Sequence, residues 1–440
     1  MQTAGVKRER LEKFGLESVP RELQRTPWYR FAFIQIAISA NAGNFLVPAL
    51  AVIQGELSFI AAILATCLGA WVGFAFVSIL SLPGARLGLP AQYVIRSMLG
   101  VQGARYLSSP IRSLTSLYWF SVQTIGGTVV LQQLIVRATG EQIPFLLLSI
   151  PFSIIMVMLA LVGFEAVKRA TTYFLPMLLA GEMIMLYIYF TTNSGDRSLL
   201  MLSSETSHGS FSMMLFYASL AFVQYVSGVS ASADMTRYAR TPKEGAWGLF
   251  IGNALGFTLT AVIGCASAYL FHELNPFVSS SAQVQSPLII GIITLTAVIS
   301  MISINISNAY TGGYSLLNTF PRLSRIQSAV LFGALGVCFS SIPALVYEAE
   351  VFISMLGGFV IPISAVICAD YIFIKKMKLD ETALIHLTKA RSINAVAILS
   401  IGIGAVLYFL IPGGWSPGFI AFVLTFSLYT WIKLIEQRRT

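Results

Sequence analysis

The sequence predicts an all-α polytopic membrane protein, on three observations: long apolar runs, scarce charge, and the placement of that charge. Hydrophobic residues make up 56% of the 440 residues and charged ones only 11%, with a mean hydropathy of +0.77. Such a chain cannot build the polar shell of a soluble domain. Apolar runs of about twenty residues, the length that crosses a bilayer's hydrocarbon core, recur along the whole chain. The alternating pattern of an outer-membrane barrel is missing.

Taken in order, the apolar runs predict twelve spans at 31–53, 57–81, 108–135, 143–163, 171–193, 211–232, 246–271, 284–310, 326–345, 351–374, 391–411 and 415–434. With both termini cytoplasmic, 26 of the 28 Lys and Arg fall on the inner side, and only Arg137 and Arg197 fall outside. That asymmetry sets the orientation of a multi-pass protein of the cell (inner) membrane. The formal charge of +9 is therefore a topology signal, with the lipid bilayer and not nucleic acid as the partner. Residues 1–30 read as a cytoplasmic lead-in without a cleavable signal peptide, with Trp28 and Tyr29 placed as headgroup anchors.

No linker or low-complexity stretch divides the chain, so one membrane domain is expected. Its parts are residues 1–30, a first half over 31–193, a second half over 211–374, a peripheral pair of spans over 391–434, and a tail over 435–440. Cys67, Cys265, Cys338 and Cys368 sit in apolar segments without metal or disulfide spacing and read as small core residues. His208, His272 and His386 lie in loops or at span ends, and nothing resembles a nucleophile elbow, a zinc site or a phosphate loop. The expectation is a protein that is not an enzyme, has no cofactor, and needs no obligate protein partner.

Two spans are interrupted. Span 1 contains ISANAGNFLVPAL (38–50) and span 6 contains VSGVSASAD (226–234), both small and polar at mid-membrane depth. They stand five spans apart, an odd number, so the two halves would be inserted upside-down relative to each other. Paired interrupted helices in inverted halves mark a transporter's binding site, because broken backbone at that depth must line a cavity or be buried in protein. The competing reading is close helix packing, which also favours Gly and Ser. The repetition in span 1, with Asn41 and Asn44 flanking Gly43, favours a site.

Trp119 and Gln123 in SLYWFSVQTIGG (116–127) share a helix face well inside span 3, too deep for an interfacial anchor. An aromatic face beside an amide suits a planar, hydrogen-bonding heterocycle. Tyr225 and Ser227 in span 6 offer a second ring and a hydroxyl, and Gly228 offers bare backbone. Span 8 carries Ser300, Ser303, Asn305, Ser307, Asn308 and Thr311, too polar to face lipid. Glu182 is the one carboxylate deep in a span; burying it ionised is costly, so it is either a proton carrier or a protonated structural residue. Asp234 and Arg237 form a candidate structural or gating pair, and Asp370 reads as a helix-end residue.

Taken together, LSLPGARLGLPAQYVIRSMLG (81–100), YWFSVQTIGG (118–127), SADMTRYAR (232–240), INISNAY (304–310) and LGGFVIPISAVICADYIFIKK (356–376) resemble the nucleobase–cation symporter-1 family of cytosine, purine, uracil, thiamine and allantoin permeases. The resemblance implies a five-plus-five inverted-repeat fold shared with bacterial leucine transporters, discontinuous helices 1 and 6, two peripheral spans and alternating access. It also implies substrate binding by Trp119, Gln123, Tyr225, Ser227, Gly228 and either Asn305 or Asn308. For the cation it implies carbonyls around Ala40 and Asn44, a carbonyl at Ser300 and a hydroxyl at Ser303. The family's second hydroxyl falls on Ile304, which has no side-chain oxygen. Sodium wants several hard oxygen ligands, so the coupling ion is sodium or proton, with Glu182 as the proton's carrier.

The expected function is a secondary symporter importing a planar nitrogen heterocycle, such as cytosine or a purine. The alternatives are a vitamin-precursor or amino-acid importer on the same fold, or a membrane sensor that binds such a ligand without moving it.

Overall fold

Helices account for nearly all of the structure, a computed structural model that describes residues 17–160, 164–192, 198–199, 210–379 and 392–439. Among the described residues the only β feature is an isolated bridge between Thr26 and Ala239. The helices are α1 (Trp28–Ser39), α2 (Ala42–Ile53), α3 (Phe59–Leu87), α4 (Ala91–Gly103), α5 (Ser109–Thr139), α6 (Phe145–Ala160) and α7 (Phe164–Thr191). Then follow α8 (Phe211–Val226), α9 (Ser232–Thr236), α10 (Pro242–Phe271), α11 (Pro276–Ala282), α12 (Pro287–Thr319), α13 (Arg325–Phe339), α14 (Ala344–Tyr347) and α15 (Ala349–Ala369), and finally α16 (Ala395–Leu410) and α17 (Pro417–Arg439). Eight helical stretches among the described residues are long and apolar enough to span a bilayer, and α1 with α2 make a ninth bent by 60°. Three shorter apolar helices, in α6, α13 and α16, occupy the other predicted spans.

The first break follows from one residue. Asn41 is extended (φ −153°, ψ 161°), and its Oδ1 accepts the Asn44 N–H at 2.9 Å, so it ends α1 and caps α2 at once. The second break is a serine effect. Ser227 Oγ donates to the Gln224 carbonyl at 2.9 Å and Ser230 Oγ to the Ser227 carbonyl at 2.8 Å. Such bonds offer backbone oxygens an alternative to the helical ladder. A short 3₁₀ turn over Ser227–Ser230 replaces the α-helix, and Ala231 then leaves helical geometry altogether (φ −137°, ψ −14°).

Glycine brings α10 against α1. A Cβ at Gly248 would sit 2.3 Å from the Trp28 carbonyl oxygen, and one at Gly252 2.5 Å from that of Ala32. Four-residue spacing of small side chains lets backbones approach in a membrane, where lipid gives no hydrophobic drive to helix pairing. The N-terminal half of the broken span is thereby fastened to a long unbroken one.

Around α4 and α9 the structure adds to the sequence reading in two places. Residues 91–103, expected as loop, form α4, which continues through a π turn at Ala104–Ser108 into α5. Asp234 serves α4: its Oδ1 accepts the Ala91 N–H at 2.7 Å. Arg237, its expected partner, acts on the Asp234 charge and also donates to the hydroxyls of Tyr310 and Tyr314 at 3.2 and 2.8 Å. Asp370 does end a helix. It opens a π turn after α15, and its carboxylate accepts from Lys375 and, at 2.6 Å, from the Tyr429 hydroxyl. His208, His386 and Arg197 lie outside the described residues.

Candidate substrate cavity

A cavity of about 180 Å³ lies where the two broken spans meet α3, α5, α10 and α12. A cavity of roughly 150 Å³ can hold a benzene ring, so this one has room for a small ring system. Trp119, Gln123, Tyr225, Ser227, Gly228 and Asn308, all proposed from the sequence, line it together with Asn44.

The rings are held from behind. Trp119 lies against Gly43, where a Cβ would come within 3.1 Å of two of its ring carbons, and Tyr118 packs on it edge-on at 5.0 Å. Tyr225 is braced by Phe74 and Phe257 at centroid distances of 4.7 and 4.9 Å. Edge contacts of this kind fix a ring's orientation while leaving a face open.

The amides converge on the first break. Gln123 donates through Nε2 to Asn41 Oδ1 at 2.5 Å and accepts the Gly43 N–H on Oε1 at 3.3 Å. The Asn41 amide in turn donates to the Ile38 carbonyl at 2.5 Å, and that of Asn44 to the Ser39 carbonyl at 2.8 Å. Gln224, which the sequence reading passed over, lines the cavity beside Tyr225. Its Nε2 lies 3.2 Å from Asn44 Oδ1, and its buried Oε1 has no hydrogen-bond partner. An amide inside an otherwise apolar span was the signal available for it.

Between the two candidate amides of α12 the geometry chooses. Asn308 lines the cavity. Asn305 is absent from that wall: fully buried, it donates to the Phe120 carbonyl at 3.0 Å and Thr124 Oγ1 at 3.2 Å, and accepts from the Asn308 amide at 3.1 Å. Asn305 therefore orients Asn308. Arg112, counted with the inner-side cations in sequence, is buried in the first turn of α5 and lines the cavity. It reaches the Ser227 carbonyl at 3.4 Å and Thr311 Oγ1 at 3.5 Å. Gln35, Asn253 and Ser307 complete the polar lining that the sequence did not single out as a site.

The cation candidates lie beside the first break. Ala40 is buried in the break itself, and Ser300 and Ser303 are buried on α12, which packs against α1. Ser300 Oγ donates to the Ala297 carbonyl at 2.8 Å, and Ile304 faces the cavity with its apolar side chain. Glu182 is 2% exposed on α7 and does not line the cavity.

Comparison with known proteins bears on this arrangement. The family described as permeases for cytosine/purines, uracil, thiamine and allantoin matches residues 18–432. The allantoin permease of Bacillus subtilis (strain 168) is 26% identical over 327 residues, 68% of this chain and 65% of the relative, so the chain spans a little under two thirds of that protein's length. Among solved structures, a nucleobase-cation-symport-1 family transporter in a closed conformation with bromovinylhydantoin bound matches with a TM-score of 0.79 at 18% identity, over 97% of this chain and 96% of that one. A substrate-bound, outward-open, sodium-coupled sialic acid symporter matches with a TM-score of 0.65 at 15% identity, over 94% and 91%. These two likenesses establish the helical transporter fold, and the match over residues 18–432 establishes that the chain belongs to the family of permeases for cytosine/purines, uracil, thiamine and allantoin.

Proposed function

We propose that the protein is a secondary symporter of the inner membrane that imports a planar nitrogen heterocycle, a nucleobase such as cytosine or a purine or a related compound, by alternating access coupled to a cation gradient. One observation carries the reading: two braced rings and six side-chain amides, Gln123, Gln224 and Asn308 among them, converge on a 180 Å³ cavity between two broken spans. Trp119 and Tyr225 would hold the faces of a flat solute, and Gln123, Gln224 and Asn308 would read its edge. Ser227 and Gly228 would supply hydroxyl and backbone at the second break. The relatives' names, allantoin permease among them, support the substrate class.

The mechanism follows from which bonds exchange. Gln123 and Gln224 are tied to the first break through Asn41, Gly43 and Asn44. A heterocycle that takes over part of their hydrogen bonding loosens those ties. The carbonyls near Ala40 and Asn44, which with Ser300 and Ser303 would be the ligands of a sodium ion, belong to the same break. Substrate and cation would then bias one element, which is what coupling requires.

The test is uptake into proteoliposomes of labelled cytosine, hypoxanthine, uracil and allantoin under an imposed cation gradient. Accumulation against the substrate's own gradient is expected. Saturable binding without accumulation would identify a sensor and overturn the proposal.

A further inference from the structure

We infer that the coupling ion is a proton and that Glu182 is the group that carries it, an assignment that rests on the symport reading above. The carboxylate would take a proton from the outer face when the site opens outward (COO⁻ + H⁺ → COOH) and return it to the cytoplasm after substrate release.

Position is the first ground. Leu178, one turn inward of Glu182 on the same face of α7, packs with Ala37 of α1 and Ile299 of α12. One turn outward from those contacts lie the break at Ala40–Asn41 on α1 and Thr296 on α12. Gly181 presses on that same Thr296, since a Cβ there would come within 2.1 Å of its Oγ1. The Glu182 carboxyl is thus level with the first break and next to the helix that bears Ser300.

The second ground is an unpartnered oxygen. Glu182 is 2% exposed, yet its Oε1 has no hydrogen-bond partner. Buried polar atoms are nearly always hydrogen-bonded, and an exception calls for a role, of which proton exchange is one.

Among the described residues no fixed counter-charge stands against Glu182. The elements packed on α7 are α1, α10, α11 and α12. From α1 the facing charge is Arg30, at the cytoplasmic end, where it donates to Thr172 Oγ1 at 3.0 Å. On α10, Cys265 turns to the Pro48 carbonyl and Tyr269 to Phe59, while Glu244 lies at the cytoplasmic tip with Lys243 beside it and bonds Arg240. On α12 the titratable groups are Tyr310 and Tyr314, in the inner half with Arg237. Toward the outside, Tyr189 stands two turns beyond Glu182 on the same face. It is hydrogen-bonded to Ser279 Oγ of α11 at 2.7 Å, which meets Ser267 Oγ at 2.7 Å, which donates to the Glu273 carbonyl at 2.8 Å. This line of hydroxyls starts two turns outward of Glu182 and runs on toward the outer surface.

Two measurements test the assignment. In sodium-free proteoliposomes, an inward proton gradient should drive wild-type accumulation of a labelled heterocycle. Glu182→Gln should lower that accumulation about tenfold or more, with substrate-for-substrate exchange losing far less. Infrared difference spectra of purified protein between acid and alkaline pH need no substrate. The wild type should show carbonyl stretches of titrating buried carboxyls, Asp234 included, of which Glu182→Gln should lack one and Glu182→Asp should restore it shifted. A spectrum that Glu182→Gln leaves unchanged overturns the assignment whether or not any heterocycle is transported. Accumulation that requires sodium at fixed pH overturns it as well. A band that behaves as expected in a protein that accumulates no heterocycle supports the proton site and sinks the substrate reading alone.

Discussion

The two breaks solve one problem with different chemistry. In the first, the backbone oxygens freed at Ile38 and Ser39 are taken by side-chain amides, those of Asn41 and Asn44, with Gln123 and Gln224 reaching in from α5 and α8. In the second, serine hydroxyls close on carbonyls three residues back, helped by Gln92, whose Nε2 donates to the Ser230 carbonyl at 2.9 Å, and by Arg112. An amide has both donor and acceptor and spans two elements, whereas these hydroxyls act within one segment. The first break is therefore tied to the cavity wall by side-chain amides, and the second closes chiefly on its own serines with Gln92 and Arg112 as outside donors. Substrate should be sensed at the first.

The largest effect that would test this contrast is at Gln123. Gln123→Ala strands the buried Gly43 N–H and leaves Asn41 Oδ1 with the Asn44 N–H alone. Leaving a buried donor unpaired costs about 1–3 kcal/mol, and with the lost substrate contact uptake should be abolished while the protein still reaches the membrane. Uptake together with surface labelling reads both quantities. Retained uptake would mean that the amide network is scaffolding only.

Next come the paired glycines. A Cβ at Gly43 would stand 2.5 Å from Gln123 Nε2 and 3.1 Å from the Trp119 ring, so Gly43→Ala must displace both. Overpacking of that kind costs about 1–3 kcal/mol, read here as roughly tenfold weaker binding in a ligand titration of thermal stability. At Gly228 the same methyl would meet only Val77 Cγ2 at 3.0 Å, an atom free to yield. Gly228→Ala should change affinity by less than about threefold. Equal losses at the two glycines would erase the distinction between the breaks.

Much of this was legible in the sequence, for identifiable reasons. The spans and both interruptions show because a run of Asn, Gly and Ser at mid-membrane depth has few alternatives to a lined cavity. Trp119 and Gln123 show because four-residue spacing puts them on one face. α4 did not show: Gln92 and Arg96 interrupt its apolar residues, and its helix is fastened from outside by the Asp234 carboxylate. Arg112 stands at a span end, where a cation reads as a topology marker, and only packing shows it buried. Asn305 and Asn308 lie three apart on one polar face. The contacts of Asn305 with Phe120 and Thr124 separate them, and no local pattern encodes those.

That pair gives the next prediction. Asn305→Ala removes donors to the Phe120 carbonyl and Thr124 and the acceptor for Asn308. A loss of about 1–3 kcal/mol in stability is expected, seen as a lower melting temperature without ligand. Asn308→Ala should leave the ligand-free melting temperature nearly unchanged and weaken the ligand-induced shift. The reverse pattern would make Asn305 the contact residue.

The smallest effect is expected at Ser230, where the serine closure of the second break can be tested directly. Ser230→Ala removes the hydroxyl that donates to the Ser227 carbonyl at 2.8 Å, but that oxygen keeps the Arg112 guanidinium at 3.4 Å. The Ser230 carbonyl keeps Gln92, so no buried backbone group is stranded. The net worth of one such bond is about 0.5–1.5 kcal/mol, and with a second donor in place the low end applies. Transport should fall by no more than about threefold, with an unchanged cation requirement in the uptake assay. A large loss, or an altered cation dependence, would show that the second break also reports on the ion, and the two breaks would then have to be treated as one coupled element.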